Sequence, residues 1–514
     1  MKTNLESPDL PLQVSNSDTT DTTTWLSLKE FPVENHEGSY IIRATQNSIQ
    51  FYDISFQPIS PEINKHPLIS FIKEIDLYSY TIVCYPMKSA LKRHRSLGKS
   101  TVTEVLQILE EIPDAMLIYI VAHKTGGHPS LIAIGGDCYR PERINFYSML
   151  IRTNDLAVGM LRKSVMIFPD IPALTGGKKG EFGIINSRHE SISSKLSLDA
   201  IFELSAMIMP IGVNFLNHIK GYNTFDGVNS ICPDSLSPDV FTGARWGKYT
   251  DLWIRSGINP MFITCIPSET TSINSSIPTA TGVLATTKAL VDVLFDNGLS
   301  NQHILCEGYG GVGSNTIRML IEEYGVSASQ ITVVDSSPNA CKDANSTGVT
   351  VINSDANVYY RSLGDSSKRF DIWINNGVGD TLGMLEAINL LHAGVKIFVG
   401  GANNLFKVDE LGSILDLIAS QKAYAFPDWA TSGGGWTYAV IEQVKKTGIN
   451  LNAEAIVVVQ ERNRKMVDDI LKSFESGEDL WRKMENKASI LINQILKKHY
   501  NLTPADFHLL SWRL

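Results

Sequence analysis

The feature that most constrains this chain is a regular alternation of short apolar runs with helix-like segments between about residues 276 and 450. TATGVLATTKALVDVLFDNG reads as an amphipathic helix ending at Gly298. QHILCEGYGGVGSNTIRMLIEEYG then gives strand, glycine-rich turn and helix, and QITVVDSS gives the next strand. RFDIWINN and VKIFVGGANN read as two further buried strands, and KAYAFPDW supplies another. Strands that alternate with helices imply a parallel sheet covered on both faces, so the fold class is α/β.

Inside this block Gly308, Gly310 and Gly313 form G-x-G-x-x-G directly after HILCE, with Gly311 and Val312 opening the following helix. The first glycine permits a tight turn, the second lets backbone approach a pyrophosphate, and the third allows close helix–strand contact. The helix N-terminus offers unpaired N–H groups to phosphates. Asp335 ends the next strand, where a carboxylate accepts both ribose hydroxyls and repels a 2'-phosphate. Its neighbours Ser336 and Ser337 bring no cation. The expected cofactor is therefore NAD rather than NADP. Alone, three spaced glycines also fit an ordinary loop, and Asp335 a turn or helix cap; the strand before and the helix after favour the dinucleotide.

At 514 residues the chain is long for one domain, and its 43% apolar and 19% charged residues are the balance of a soluble globular protein. Acidic residues outnumber basic ones, 54 to 45. That argues against a nucleic-acid partner, which needs clustered Lys and Arg; Lys92-Arg93-His94-Arg95 is the nearest cluster and is short. Six cysteines (84, 138, 232, 265, 306 and 341) lack metal-ligand spacing, so no metal is expected and a reducing cytoplasm fits. MKTNLESPDLPL has no signal-peptide core, and no run approaches the roughly eighteen apolar residues of a membrane span.

Residues 1–24 are polar and expected to be disordered. From 25 to 114, SYIIRA, SIQFYDISF and SYTIVCYPM read as strands and TVTEVLQILEEI as a helix, with no chemistry-bearing motif. The next block, 115–275, opens with the strands LIYIVAH and LIAIGG. It continues through a helix, INFYSMLIRTNDLAVGML, to a loop, TGGKKGEFG. After about 460 the chain turns helical and charged.

Lys163, Lys178, Lys179 and Asp239 stand out in the first half. Singly they read as a helix-end cation, a surface loop and a helix N-cap. Together they follow a known order, because the chain resembles the glutamate/leucine/phenylalanine/valine dehydrogenase family over roughly residues 115–475. LIAIGGDCYR looks like its ALGG-C-R segment, with Gly135 and Gly136 at the paired glycines. GMLRKSV is similar to GM-x-x-K and TGGKKGE to GG-x-K, which puts Lys179 on the catalytic lysine, or Lys178 if the register slips. SPDVFT resembles PDVGT, and PTATGV the TA-Y-GV hinge turn, with Thr279 near the cofactor. GYGGVGS is close to GFGNVGS. GANNLF resembles GANN-x-L, with Asn403 and Asn404 near the nicotinamide ribose, and FPDWATSGGG looks like APDYVINAGG.

The resemblance implies two domains with a cleft between them: a substrate-binding and dimerisation domain (115–275) and a Rossmann-type NAD domain (276–450). Residues 25–114 form an extension, and helices in 451–514 return to the first domain. It implies reversible oxidative deamination of an L-amino acid to a 2-oxo acid, ammonia and NADH, in a homo-oligomer. Lys163 holds the substrate carboxylate, Lys179 polarises the reacting carbonyl or water, and Asp239 moves protons. A branched or aromatic substrate side chain is favoured by the TSGGG and GANNLF segments. The chain departs from the pattern at Ser432, where relatives carry an asparagine, at Asn375-Asn376, at Asp137, and in about four extra residues before TGGKKG. These departures leave open a second reading, a catalytically silent relative that binds NAD in a regulatory or interaction role. A third, another Rossmann enzyme such as a methylene-folate or shikimate dehydrogenase, does not account for GANN and PDV.

Overall fold

The computed structural model describes residues 38–45, 48–59, 79–92, 97–123, 137–139, 145–170, 177–218, 276–446, 455–475 and 478–501. Its first sheet holds β1 (Tyr40–Thr45), β2 (Ser48–Tyr52), β3 (Pro58–Ile59), β4 (Ser79–Pro86), β5 (Met116–His123), β6 (Asp137–Tyr139) and β7 (Lys178–Ile185). The strand order is β3-β2-β1-β4-β5-β7-β6, antiparallel at every step except β6–β7. The sheet crosses the boundary expected at 114/115, because β4 pairs with β5 from Tyr80↔Ala122 to Pro86↔Met116.

TGGKKGEFG, expected as a loop, is strand from Lys178 onward. Its glycines weaken β propensity, but β7 pairs with β5 along its full length and with β6 on the other side. Ladder bonds on both edges outweigh local preference. Along β7, alternation puts Lys179, Glu181 and Gly183 on the face covered by α3 (Phe146–Ile167). Phe182 and Ile184 pack on the other face with α4 (Leu198–His218), α1 (Met87–Lys92) and α2 (Lys99–Glu111).

The second sheet is parallel throughout. It holds β8 (Ile304–Glu307), β9 (Ile331–Asp335), β10 (Thr350–Asn353), β11 (Ile372–Asn375), β12 (Ile397–Gly400) and β13 (Tyr424–Ala425), in the order β10-β9-β8-β11-β12-β13. Successive residues feed opposite cores. Ile304, Cys306, Ile372 and Ile374 enter one cluster, and Leu305, Trp373 and Phe398 the other. This two-sided burial explains the continuous apolar runs of the sequence. The connecting helices are α6 (Gly311–Glu322), α7 (Pro338–Asn345), α8 (Ala356–Ser362), α9 (Met384–His392) and α10 (Leu411–Ser420).

The lead-in helix α5 (Ser276–Leu294) is not amphipathic as its sequence suggested. It is buried on nearly all sides, against α6, α12 (Gly433–Lys446) and α13 (Ala455–Leu471). Among the described residues it is the one helix long and apolar enough to cross a membrane, and its burial accounts for that composition. The four-residue α11 (Asp428–Thr431) lies against α3, and α14 (Leu480–Tyr500) packs on α3 and β13.

Candidate active site

Strand order reverses between β8 and β11, and a doubly wound sheet opens a crevice at the carboxyl ends of such a pair. Gly308 follows β8 with φ +82°, and a Cβ there would sit 2.7 Å from Gly377 after β11. A Cβ on Gly313 would lie 2.0 Å from the Gly308 carbonyl oxygen. One on Gly310 would meet nothing within 4 Å, so this part of the turn faces open space. Gly311 starts α6, and Val312 is buried beneath it.

Asp335 is half-buried and accepts two backbone bonds, from Tyr309 N at 2.8 Å and Ser337 N at 2.7 Å. It therefore also ties the glycine turn to β9. The resulting cleft, about 990 Å3, is lined by Gly308, Gly310, Asp335, Asn376 and Gly377, and from across by Arg152 of α3. The Asn376 amide nitrogen is buried without a partner, a donor unsatisfied by the protein itself. Open backbone at Gly310, a helix N-terminus, a carboxylate at the strand end and this donor fit a dinucleotide.

Asn375 and Asn376 have distinct tasks. Asn375 turns inward and accepts from Gly377 N at 2.8 Å, shaping the bend, while Asn376 accepts from Gly401 N at 3.2 Å. Thr279 is buried beside the same Gly401, its methyl 3.3 Å from where a Cβ would stand. Glu307, at the end of β8, lines the cleft although it is buried. It accepts from the Tyr360 hydroxyl at 2.6 Å, and Tyr360 in turn accepts from Trp373 Nε1 at 2.9 Å. Burial pushes the Glu307 carboxyl up to about 7; the Tyr360 bond opposes this, and Asp355 and Asp335 add to it.

A second cavity of about 440 Å3 shares Ile151, Val408 and Asp409 with the cleft and holds the lysines. Lys163 on α3 is 5% exposed and Lys179 on β7 is 6% exposed, and both line it with Asn403, Asn404, Asp428 and Trp429. Two strands of local logic bring the lysines together. A Cβ on Gly177 would fall 2.4 Å from the Ala157 carbonyl, so β7 starts in backbone contact with α3. Lys163 Nζ then donates to Ser432 Oγ at 3.3 Å, which joins α3 to the end of α11. The hydroxyl at Ser432 thus meets the lysine directly.

Asp428 is buried in the same cavity and accepts from Asn404 N at 2.8 Å. Burial raises its carboxyl above the usual range, against that bond and the charge of Lys163. Asn404 adopts φ +55°, and its amide nitrogen is buried without a partner. Gly135, Gly136 and Asp239 lie outside the described residues, as does the side chain of Lys178, whose backbone opens β7.

Two buried residues, Arg152 at the cleft and its partner Glu181, are not among those singled out from the sequence. Arg152 and Glu181 form a buried ion pair, with Thr153 Oγ1 donating to Glu181 at 3.0 Å. Their positions do carry a signal: Arg152 precedes Lys163 by about three helical turns, and Glu181 follows Lys179 by one strand repeat. Each pair therefore shares a face.

No family model matches the chain, and no curated protein matches it in sequence. Among solved structures, the hetero-hexameric glutamate dehydrogenase from Thermus thermophilus is similar at 16% identity and TM-score 0.51, over 75% of this chain and 85% of that one. The L-tryptophan dehydrogenase from Nostoc punctiforme aligns at 18% identity and TM-score 0.46, over 75% and 94%. Glutamate dehydrogenase from Peptoniphilus asaccharolyticus aligns at 15% identity and TM-score 0.48, over 80% and 98%. With a parallel sheet in Rossmann order beside a mixed sheet, and a cleft carrying the glycine turn next to a cavity lined by the lysines, the chain has the two-domain α/β fold of the amino acid dehydrogenases.

Proposed function

We propose that the chain is an NAD-dependent L-amino acid dehydrogenase, catalysing reversible oxidative deamination to a 2-oxo acid, ammonia and NADH. The observation that carries this reading is the convergence of Lys163 and Lys179, both buried, in a cavity that adjoins the dinucleotide cleft. Two buried ammonium groups beside a cofactor cleft suit a substrate with a carboxylate and a carbon that becomes a carbonyl.

When bound, the nicotinamide supplies the acceptor for the hydrogen that leaves the substrate Cα with its electron pair. The chain does the rest. Gly308, Gly310 and Gly313, with the N–H groups of Gly311 and Val312, hold the pyrophosphate, and Asp335 accepts the adenosine ribose hydroxyls. Asp355, lining the same cleft, adds to the disfavour toward a 2'-phosphate. Asn403, Asn404, Asn376 and Thr279 serve the nicotinamide end. Asp428 positions Asn404 through its backbone bond.

Lys163 holds the substrate carboxylate, and Ser432 keeps its ammonium in place. Lys179 donates to the oxygen of the 2-oxo acid or orients the water that attacks the imine. Asp239 takes the proton from that water and passes one to the departing ammonia. Deamination thus consumes one water and releases ammonia and a proton. We assign residues 115–275 to substrate binding and subunit contact and 276–450 to the cofactor. A cytoplasmic homo-oligomer is proposed with them.

The test is NADH formation with a panel of L-amino acids at alkaline pH, repeated in reverse with 2-oxo acids and ammonium, with NAD and NADP. Tight NAD binding with no turnover in either direction would instead favour a silent relative.

A further inference from the structure

We infer that this chain reads its substrate's side chain with its C-terminal helix: the lysine cavity extends into a subsite bounded by Phe406, Gly412 and Trp481 that takes a large, neutral, aromatic side chain. This rests on the reading of the lysine cavity as the substrate site.

The cavity has polar and apolar walls. Lys163, Lys179, Asn404 and Asp428 belong to the polar ones. Its apolar walls include Met160 of α3, Phe406 and Leu411 before and at the start of α10, Trp481 of α14, and Trp429. A substrate fixed by its carboxylate at Lys163 carries its side chain along these apolar walls. About 440 Å3 is a small-ligand volume, and half of the residues that line it beyond the lysines are aromatic or aliphatic. Such walls reward a ring by area and by ring–ring geometry.

The aromatic walls are held in place. The rings of Phe406 and Trp481 lie 5.6 Å apart at a 56° tilt, and Trp481 Nε1 donates to Glu485 at 3.3 Å. Trp429 approaches α3 closely, its Cβ 3.1 Å from where a Cβ on Gly159 would stand. Its indole N–H is buried without a partner, a donor beside the cavity that the protein leaves unsatisfied. Gly412, in the first turn of α10, also lines the cavity, and a Cβ there would have nothing within 4 Å. A side chain there would meet no neighbour.

Charge decides against an acidic substrate. Arg162 in this wall is paired with Glu485, at 11% and 12% side-chain exposure, so its charge is spent inside the protein. Asp155 and Asp409 also line the cavity. Among the described lining residues, the lysines aside, a second substrate carboxylate would meet Arg162 only within its ion pair, with Asp155 and Asp409 nearby, whereas a neutral ring sets no charge against them.

The test uses full-length protein with NAD and five substrates: L-alanine, L-leucine, L-phenylalanine, L-tryptophan and L-glutamate. The wild type should favour phenylalanine or tryptophan over alanine and glutamate by about tenfold or more in kcat/KM. Gly412→Val narrows the subsite without backbone conflict and should lower the phenylalanine-to-alanine ratio by about tenfold or more. Trp481→Leu widens the same wall and should raise tryptophan relative to phenylalanine, which keeps the test alive if the first variant fails to fold. A wild-type preference for glutamate overturns the subsite, as do ratios that stay within about twofold in both variants. Weakened NAD binding with unmoved ratios assigns the space to the nicotinamide half and also overturns it. If the wild type turns over none of the five, the reading of function itself fails, and the subsite with it.

Discussion

Lys179 and Glu181 stand on one face of β7, and only one of them is offered to the cavity; the other is taken by Arg152 and Thr153. Because Glu181 is taken up by Arg152 and Thr153, its charge is not left to pair with Lys179 in the substrate's place. Truncating the lysine tests its role directly. Lys179→Ala should lower kcat by about 10²–10⁴, the scale of a lost proton-handling group, with NAD affinity retained. Turnover within a few-fold of wild type would move the role to Lys178 or remove it. Glu307 offers a test independent of turnover. Its carboxyl titrates near 7 in the folded protein against an ordinary 4.5, so between those values the native state keeps a proton that the unfolded chain has lost. Stability should therefore fall as pH rises through that window and level off above it. Glu307→Gln, neutral throughout, should match wild type near pH 4 and melt several degrees higher at about pH 8. Equal melting temperatures at the higher pH would show that the carboxyl is not held protonated.

At the scale of elements, what could be read in advance was what local chemistry fixes. The segment from HILCE to the helix of α6 was legible because a dinucleotide turn imposes its glycines within six residues. The structure gives each a reason, most tightly at Gly313, whose added Cβ would strike the Gly308 carbonyl. Gly313→Ala should weaken NAD binding by about tenfold or more, as 1.4 kcal/mol of strain would. A dissociation constant within about twofold of wild type by titration would mean that the turn can shift to make room. Other elements were hidden because their cause lies elsewhere in the chain. β7 looks like a loop until β5 and β6 are seen on both sides of it. β10 is a short, partly exposed edge strand, TVIN, with nothing periodic to announce it. α5 looked one-sided, and only the helices that wrap it show why its buried polar residues are threonines and a serine, with Lys288 and Asp292 kept toward solvent. Likewise Asp428 was visible as part of a motif, but its bond to the Asn404 backbone depends on two segments meeting at the ends of β12 and β13. The candidate site follows the same division: residue types were readable, pairings were not.

For the whole molecule, α3 is the part on which both halves depend. One face lies on the first sheet, and the other meets α11, α13 and α14, so the helix carrying Lys163 is also the floor on which the later half of the chain rests. Two ion pairs fasten that floor to the C-terminal helices. Arg462 of α13 binds Asp170 just past the end of α3 and lies 4.5 Å over the Phe168 ring. Arg162 meets Glu485 of α14 in a setting nearly sealed from solvent. The first is partly exposed and should contribute little, since solvent screens it. The second is different, because removing one partner strands a buried charge. Burial already raises the Glu485 carboxyl, opposed chiefly by Arg162. Arg162→Leu should therefore cost about 3–5 kcal/mol in denaturant unfolding, while Arg162→Leu with Glu485→Leu should recover most of that loss, because an apolar pair of similar volume suits the site as well. The two variants together separate a lock from a surface contact. If the single substitution costs less than about 1 kcal/mol, the pair is effectively solvated, and α14 is held to α3 only by its apolar side chains. If the single loss is large but the double variant is no better, the guanidinium is needed for something besides its partner, and the seam between α3 and α14 is organised by more than this one pair.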